Sequence, residues 1–263
     1  MTTEDFITFL FCEVDDRIGQ LSKHPQAKLW PSELVTIGLL FVLKGGYFRA
    51  FYRWLKRDYA ALFPGLPHRT RLQRLLQTHH DWCDLFLADP TFFTVVDSYG
   101  VELIHPIREG RSPRQIGKKG KCNWRWIVGV KLCWLINGRG EVVDWDWNTA
   151  NVHDQTFLPL VQKLNGTSIV LSDVGFSCAS GIPANLKLCR RGTWNERMLI
   201  ETVLSMVTMV CRLKKMFHRV RCYVQMHFAY LAALFNTLLA LNRTLDADAE
   251  RQGNLLHIAQ YAL

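Results

Sequence analysis

The stretch TFFTVVDSYG, residues 91–100, sets Asp97 at the end of a run of aromatic and β-branched residues, and SIVLSDVGF, residues 168–176, does the same with Asp173. Short apolar runs of this kind read as buried strands. Ligands on α/β sheets bind beyond the strand ends, where both aspartates would stand. A third acid, Glu201, lies in ERMLIETVLS, residues 196–205, where the apolar residues recur at helical spacing. Three distant segments can thus bring three carboxylates to one point. That is how proteins hold two divalent cations, and hard oxygen donors favour magnesium or manganese over zinc. A lone strand-ending Asp is more simply a turn residue, so the argument rests on the set.

Between the two aspartates lie a loop rich in Arg, Lys and Gly, residues 108–121, and the segment WRWIVGVKLCWLINGRGEVVDWDW, residues 124–147. Its Asn137-Gly138 pair signals a hairpin. A two-residue turn there puts Trp124, Trp126, Val128, Val130, Leu132 and Trp134 on one face with Trp145 and Trp147, and sets Lys131 opposite Asp144. A four-residue turn keeps the faces and moves Lys131 to Asp146. Either register explains Asp144 and Asp146 as cross-strand partners and removes them as rival metal ligands. Asp154 then fits as the N-cap of a short helix, with a His153-Asp154 metal pair as the alternative.

Residues 1–90 read as helices, one opening at Pro31-Ser32 and closing at Gly45-Gly46, with a break at FPGLPH, residues 63–68. Between these breaks Arg49, Arg53, Lys56 and Arg57 share one helix side, while Phe48, Phe51, Trp54 and Leu55 occupy much of the remaining circumference. Such a stripe is either a DNA-docking face or a solvated helix side. Beyond residue 190, Thr193 and Glu196 form a capping box for a helix of about 20 residues. On it Arg197, Glu201, Ser205, Thr208, Arg212 and Lys215 fall in one narrow polar arc. The plain alternative for Glu201 is an i, i+4 ion pair with Arg197. A second helix, about Tyr223 to Leu241, is largely apolar. The expected divisions are a helical region 1–90, a mixed domain 91–245 and a tail 246–263.

The chain has 263 residues and a net charge of +9, which favours a polyanionic partner. The charge comes in blocks: eight Lys and Arg against Asp58 alone from Lys44 to Arg74, and eight against Glu109 alone from Arg108 to Lys131. Eight cysteines without a C-x-x-C pair read as reduced, mostly buried thiols. The start carries acids where a secretory signal needs basic residues, and the apolar stretches Leu34 to Leu43 and Phe228 to Leu241 fall short of the ~20 residues of a membrane span. A cytoplasmic protein without membrane contact is expected.

Taken together, VVDS with its following Arg-rich loop, N-x-H-D before a helix, SDVGF, and R-x-x-x-E in RMLIETVLSMVTMVCRLKK resemble the DDE transposases of bacterial insertion sequences. The resemblance spans most of residues 90–241. It implies a ribonuclease H-like α/β fold, a mixed sheet flanked by helices after an all-helical N-terminal region. It implies that Asp97, Asp173 and Glu201 are the catalytic acids and ligands of two magnesium or manganese ions. The implied partners are double-stranded DNA ends with inverted repeats and a target DNA, met on the nucleoid by a homodimer or larger synaptic complex. Candidate DNA contacts are Arg197, Lys131, Arg212 and Lys215, with Arg49, Arg53, Lys56 and Arg57 on the N-terminal stripe. The segment between Asp173 and Glu201 is too short for the insertion that some relatives carry, and no Tyr precedes Arg197 where relatives can place one. A ribonuclease H-like nuclease without strand transfer and a catalytically silent DNA-binding descendant remain open as alternatives.

Overall fold

A computed structural model describes residues 2–122, 125–179, 181–190, 197–245 and 258–263. The chain divides into two units, Met1–Phe86 with Arg221–Leu263, and Leu87–Val220. Thr193 and Glu196, the expected capping box, lie outside the described residues, as do Trp124 and most of the tail.

In the first unit, helix α1 (Thr3–Ile18) opens with a reciprocal cap: Asp5 N donates to Thr2 Oγ1 at 3.1 Å and Thr2 N donates to the Asp5 carboxylate at 2.9 Å. Helix α2 (Pro31–Lys44) starts and stops where the Pro and Gly signals place it and is buried continuously from Leu34 to Leu43. A helix that is apolar all round has to be enclosed by others. Helix α3 (Phe48–Asp58) buries Phe48, Phe51 and Leu55 and exposes Arg49, Arg53, Lys56 and Arg57, as its spacing predicts. Helix α4 (Arg69–Thr78) follows the FPGLPH break and leads into a 3₁₀ turn, His80–Phe86.

The second unit holds a six-stranded mixed sheet. Its strands are β1 (Phe93–Ile104), β2 (Lys118–Cys122), β3 (Arg125–Asn137), β4 (Val142–Thr149), β5 (Ile169–Ser172) and β6 (Leu186–Leu188). The order is β2-β3-β1-β5-β6, with β4 pairing the second half of β3. Pairs among β1 to β4 are antiparallel, whereas β5 joins β1 and β6 joins β5 in parallel. The short helix α5 (Leu158–Lys163) supplies the β4 to β5 crossover. Its Leu158, Leu160 and Val161 pack with Phe157, Phe176 and the Val96, Cys133 and Leu135 face of the sheet. Helix α6 (Met198–Val210) packs against β1.

Three expectations are corrected here. The hairpin loop has three residues, Gly138 to Gly140, with Gly140 at φ 81°, and a bulge follows at Leu135/Ile136. The tryptophan faces survive, but Lys131 lies opposite Asn148, and Asp144 pairs with Lys163 at 2.7 Å. Helix α6 has 13 described residues and ends before Arg212, which adopts φ 54°. The chain then returns to β1, where Met216 N donates to Glu102 O at 2.9 Å. The polar arc therefore stops at Thr208, and neither Arg212 nor Lys215 belongs to it.

The third correction concerns the domain boundary. Helix α7 (Arg221–Leu245) follows the sheet in sequence but packs among α1, α2 and the 3₁₀ turn of the helical unit. It is longer than its apolar stretch suggests, and Arg221–Thr244 has the length and hydropathy to cross a membrane. Its apolar window is 89% buried, which marks it as a core helix. The eight cysteines are free thiols, four of them buried, two half-buried, and Cys12 and Cys222 exposed.

The α2–α7 contact fixes one small residue. A Cβ on Gly38 would stand 2.1 Å from the Tyr230 ring, and both lie in the buried helix pair. Gly38→Ala is expected to cost about 1–3 kcal/mol through overpacking. A lowered urea midpoint would show it; an unchanged midpoint would remove α7 from its place beside α2.

Candidate active site

Parallel pairing sets the two aspartates side by side. The β1–β5 register matches Phe93 with Ile169, Thr94 with Val170 and Val95 with Leu171. Two residues further along both strands, Asp97 stands beside Asp173. Asp97 lies within β1, opposite the buried Trp134 of β3, while Asp173 immediately follows β5. Asp173 caps a 3₁₀ turn: its Oδ1 accepts from Gly175 N at 2.9 Å.

A third carboxylate, Asp154, joins them. The 3₁₀ turn that opens at Asp154 takes His153 as its N-cap, which leaves the Asp154 side chain for the sheet. Its Oδ1 accepts from Lys131 Nζ at 3.0 Å and from the Ser98 hydroxyl. A Cβ on Gly175 would lie 3.0 Å from both Asp154 Oδ2 and Asp173 Oδ1, so these two carboxylates share the space over that glycine. Lys131 also donates to Val152 O at 2.9 Å, and its side chain is 16% exposed. Lys131 therefore anchors the start of the crossover.

The electrostatics follow from this crowding. Asp97 is pushed up to about 7, chiefly because burial penalises its charge. The negative charges of Asp173 and Asp154 push in the same direction, opposed by the Ser98 backbone N–H and by Arg197. Glu201 is exposed and pairs with Arg197 at 2.7 Å, the i, i+4 alternative that its spacing allows. Among the described residues no three His, Cys, Asp or Glu side chains converge closely enough to hold a metal ion. Asp97, Asp154 and Asp173 thus supply the oxygen donors that a hard divalent cation takes, without closing round one.

The remaining candidate contacts are dispersed. Arg212 is exposed, and Lys215 pairs with Glu102 at 3.3 Å. The basic loop noted from its charge is open to solvent, with Arg108, Arg111, Arg114, Lys118, Lys119 and Lys121 exposed.

Residues 87–180 match the family model described as the transposase DDE domain. This segment is a DDE transposase domain. The match covers β1 to β5 and both aspartates, and it joins the mixed sheet with flanking helices in a ribonuclease H-like transposase fold. This likeness supports an enzyme of the nuclease and transposase kind, a family with DNA substrates. No curated protein and no solved structure matches the chain.

The DDE domain carries a pH signature of its own. Below the ordinary value of 3.8, Asp97 is protonated in both the folded and the unfolded chain. From there to about 7 the folded protein keeps a proton that the unfolded chain releases, so stability falls as pH rises through this window. Above it the whole cost is present. With chelator added, Asp97→Asn is expected to be more stable than the parent by about 2–4 kcal/mol at pH 8 and nearly equal at pH 4. Urea midpoints of the two proteins that run parallel across pH would show that Asp97 is not the strained acid.

Proposed function

We propose that the chain is a transposase of an insertion sequence, cutting and joining DNA at terminal inverted repeats by metal-dependent phosphoryl transfer. The observation that carries this reading is the pairing of Asp97 with Asp173 inside a transposase DDE domain. Asp97 and Asp173 would hold the cations, with Glu201 as the third ligand that the family resemblance assigns. Two magnesium or manganese ions, when bound, lower the pKa of the attacking water or 3′-hydroxyl and stabilise the leaving oxygen of an in-line displacement.

The chain's own residues prepare this chemistry. Lys131 and Ser98 hold Asp154 beside Asp173, while Arg197 offsets part of the charge at Asp97. Arg197, Arg212 and Lys215 remain candidate phosphate contacts. Lys131, tied to Asp154 and Val152, is the weakest of the original four. The exposed Arg49, Arg53, Lys56 and Arg57 of α3 form the docking face for duplex DNA. The partners are DNA ends and target DNA, and the acting form is a homodimer or larger synaptic assembly in the cytoplasm, on the nucleoid.

One observation favours a second reading. Glu201 pairs with Arg197, which is compatible with a catalytically silent DNA-binding protein. Incubating the protein with labelled end DNA taken from the gene's flanks, a target plasmid and magnesium separates the cases. Joined product supports transposition, cleavage alone supports a nuclease, and end binding without cleavage supports the silent protein. In the first case Asp97→Asn and Asp173→Asn should each lower cleavage by more than about 1,000-fold while end binding persists.

The docking face is tested separately. Arg49→Glu with Arg53→Glu should weaken duplex binding and reduce the slope of log affinity against log salt by about 2. An unaltered slope would return α3 to an ordinary solvated helix.

A further inference from the structure

The helical unit contains a cavity of about 440 Å³ between the segment that joins α1 to α2 and the start of α4. Its size lies within the ~300–1,000 Å³ of small-ligand sites. Lys23, Lys28, Trp30, Arg71, His79 and Trp82 give it its chemistry, and among the described residues its lining contains no Asp or Glu. A solvated surface on a chain with 23 acids would ordinarily mix the two signs.

The aromatic groups are presented as flat surfaces. Trp30 is 56% exposed, an unusual state for so large an apolar ring, and Lys23 Nζ stands 5.0 Å from its centroid. His79 stacks on Trp82 with centroids 4.2 Å apart and 25° between the planes. Burial lowers the His79 pKa, against the opposing charge of Asp81, so the ring is neutral at pH 7 and stacks as an aromatic. Lys28 and Arg71 are exposed, and among the described residues neither side chain makes a hydrogen bond or ion pair.

An open aromatic ring beside unneutralised cations matches a nucleobase with its phosphates. A duplex cannot use such a site, because its paired and stacked bases have no free face to offer. We infer that this cavity takes one unstacked nucleotide of a DNA single strand, with its base on Trp30 and its flanking phosphates on Lys28 and Arg71. The inference takes its ligand class from the DNA reading above and is independent of the aspartate cluster. Its role would be to grip a strand already separated from its partner, which the basic face of α3 cannot distinguish from duplex.

The full chain is titrated with a fluorescent oligo-dT of about 12 nucleotides, a length within single-strand site sizes, and with a duplex of matching charge. Trp30→Ala should weaken oligo-dT binding roughly 10- to 100-fold and leave duplex binding unchanged, while Trp30→Phe should keep most of the affinity. Lys28→Ala with Arg71→Ala should lower the salt slope for oligo-dT by about 1.4. Oligo-dT affinity unmoved by these changes, no oligo-dT binding by the parent, or equal loss on single strand and duplex would each overturn the inference. The α3 charge reversal lowers both arms, whereas Trp30→Ala lowers the oligo-dT arm alone, so a failure of the docking face is read apart from a failure of the cavity.

Discussion

The parallel register of β1 and β5 brings two carboxylates together inside a folded domain, and much of the second unit is arranged around that cost. Val95 lies opposite Leu171, so Asp97 has to stand beside Asp173. The core on the Val96, Cys133 and Leu135 face holds the strands in place through α5 and its flanking turns. A one-residue slip would turn these side chains to the other face, so the packing enforces the register and, through it, the repulsion. Burial and like charge together lift Asp97 to about 7. The domain thus keeps an anionic site that its own residues only partly compensate.

Two basic side chains act near this site, and each is divided with another acid. Lys131 reaches Asp154, and Arg197 reaches Glu201. Neither forms a bond to Asp97 or Asp173 among the described contacts. Had either cation been placed squarely between the two aspartates, the repulsion would have been settled within the chain. The observed arrangement leaves a net demand for positive charge, which is what a divalent ion supplies.

Much of this was legible in the sequence, and the omissions share a cause. Asp173 after its strand, the bounds of α2 and the two-sided character of α3 follow from local periodicity and punctuation, whereas Asp97, expected at a strand end, lies inside β1, which runs on to Ile104. The hairpin register does not follow from them, because a three-residue loop and a bulge both leave the Asn137-Gly138 signal intact while sliding the partners of Lys131. Asp154, read as an N-cap or as half of a metal pair with His153, is neither the cap of its turn nor explained by local spacing. Its actual partners are Lys131, 23 residues away, and Ser98, 56 away, reached only through the sheet. The C-terminal end of α6 is hidden in the same way, because apolar spacing continues past Val210 although the chain turns at Arg212 and Lys215 bridges to Glu102. Adjacency in sequence places α7 with the sheet, whereas the close approach of Gly38 to Tyr230 shows its surface fitted to α2.

The position of Glu201 is best weighed by energy. Its bond to Arg197 is an i, i+4 pair with the carboxylate half exposed, and pairs of that kind are worth only ~0.3–0.5 kcal/mol. The cost of charging Asp97 comes chiefly from burial, with the charges of Asp173 and Asp154 adding to it. So weak a pair contributes little to holding Glu201 on the helix that packs against β1. Asp154 is in the opposite condition: its carboxylate is 24% exposed, bonded to Lys131 and Ser98, and fixed by the crossover. The fold thus supplies one acid held beside Asp173 by the sheet and one held only by an i, i+4 pair on a helix surface. The difference between them is set by whether the sheet or the solvent surrounds the carboxylate.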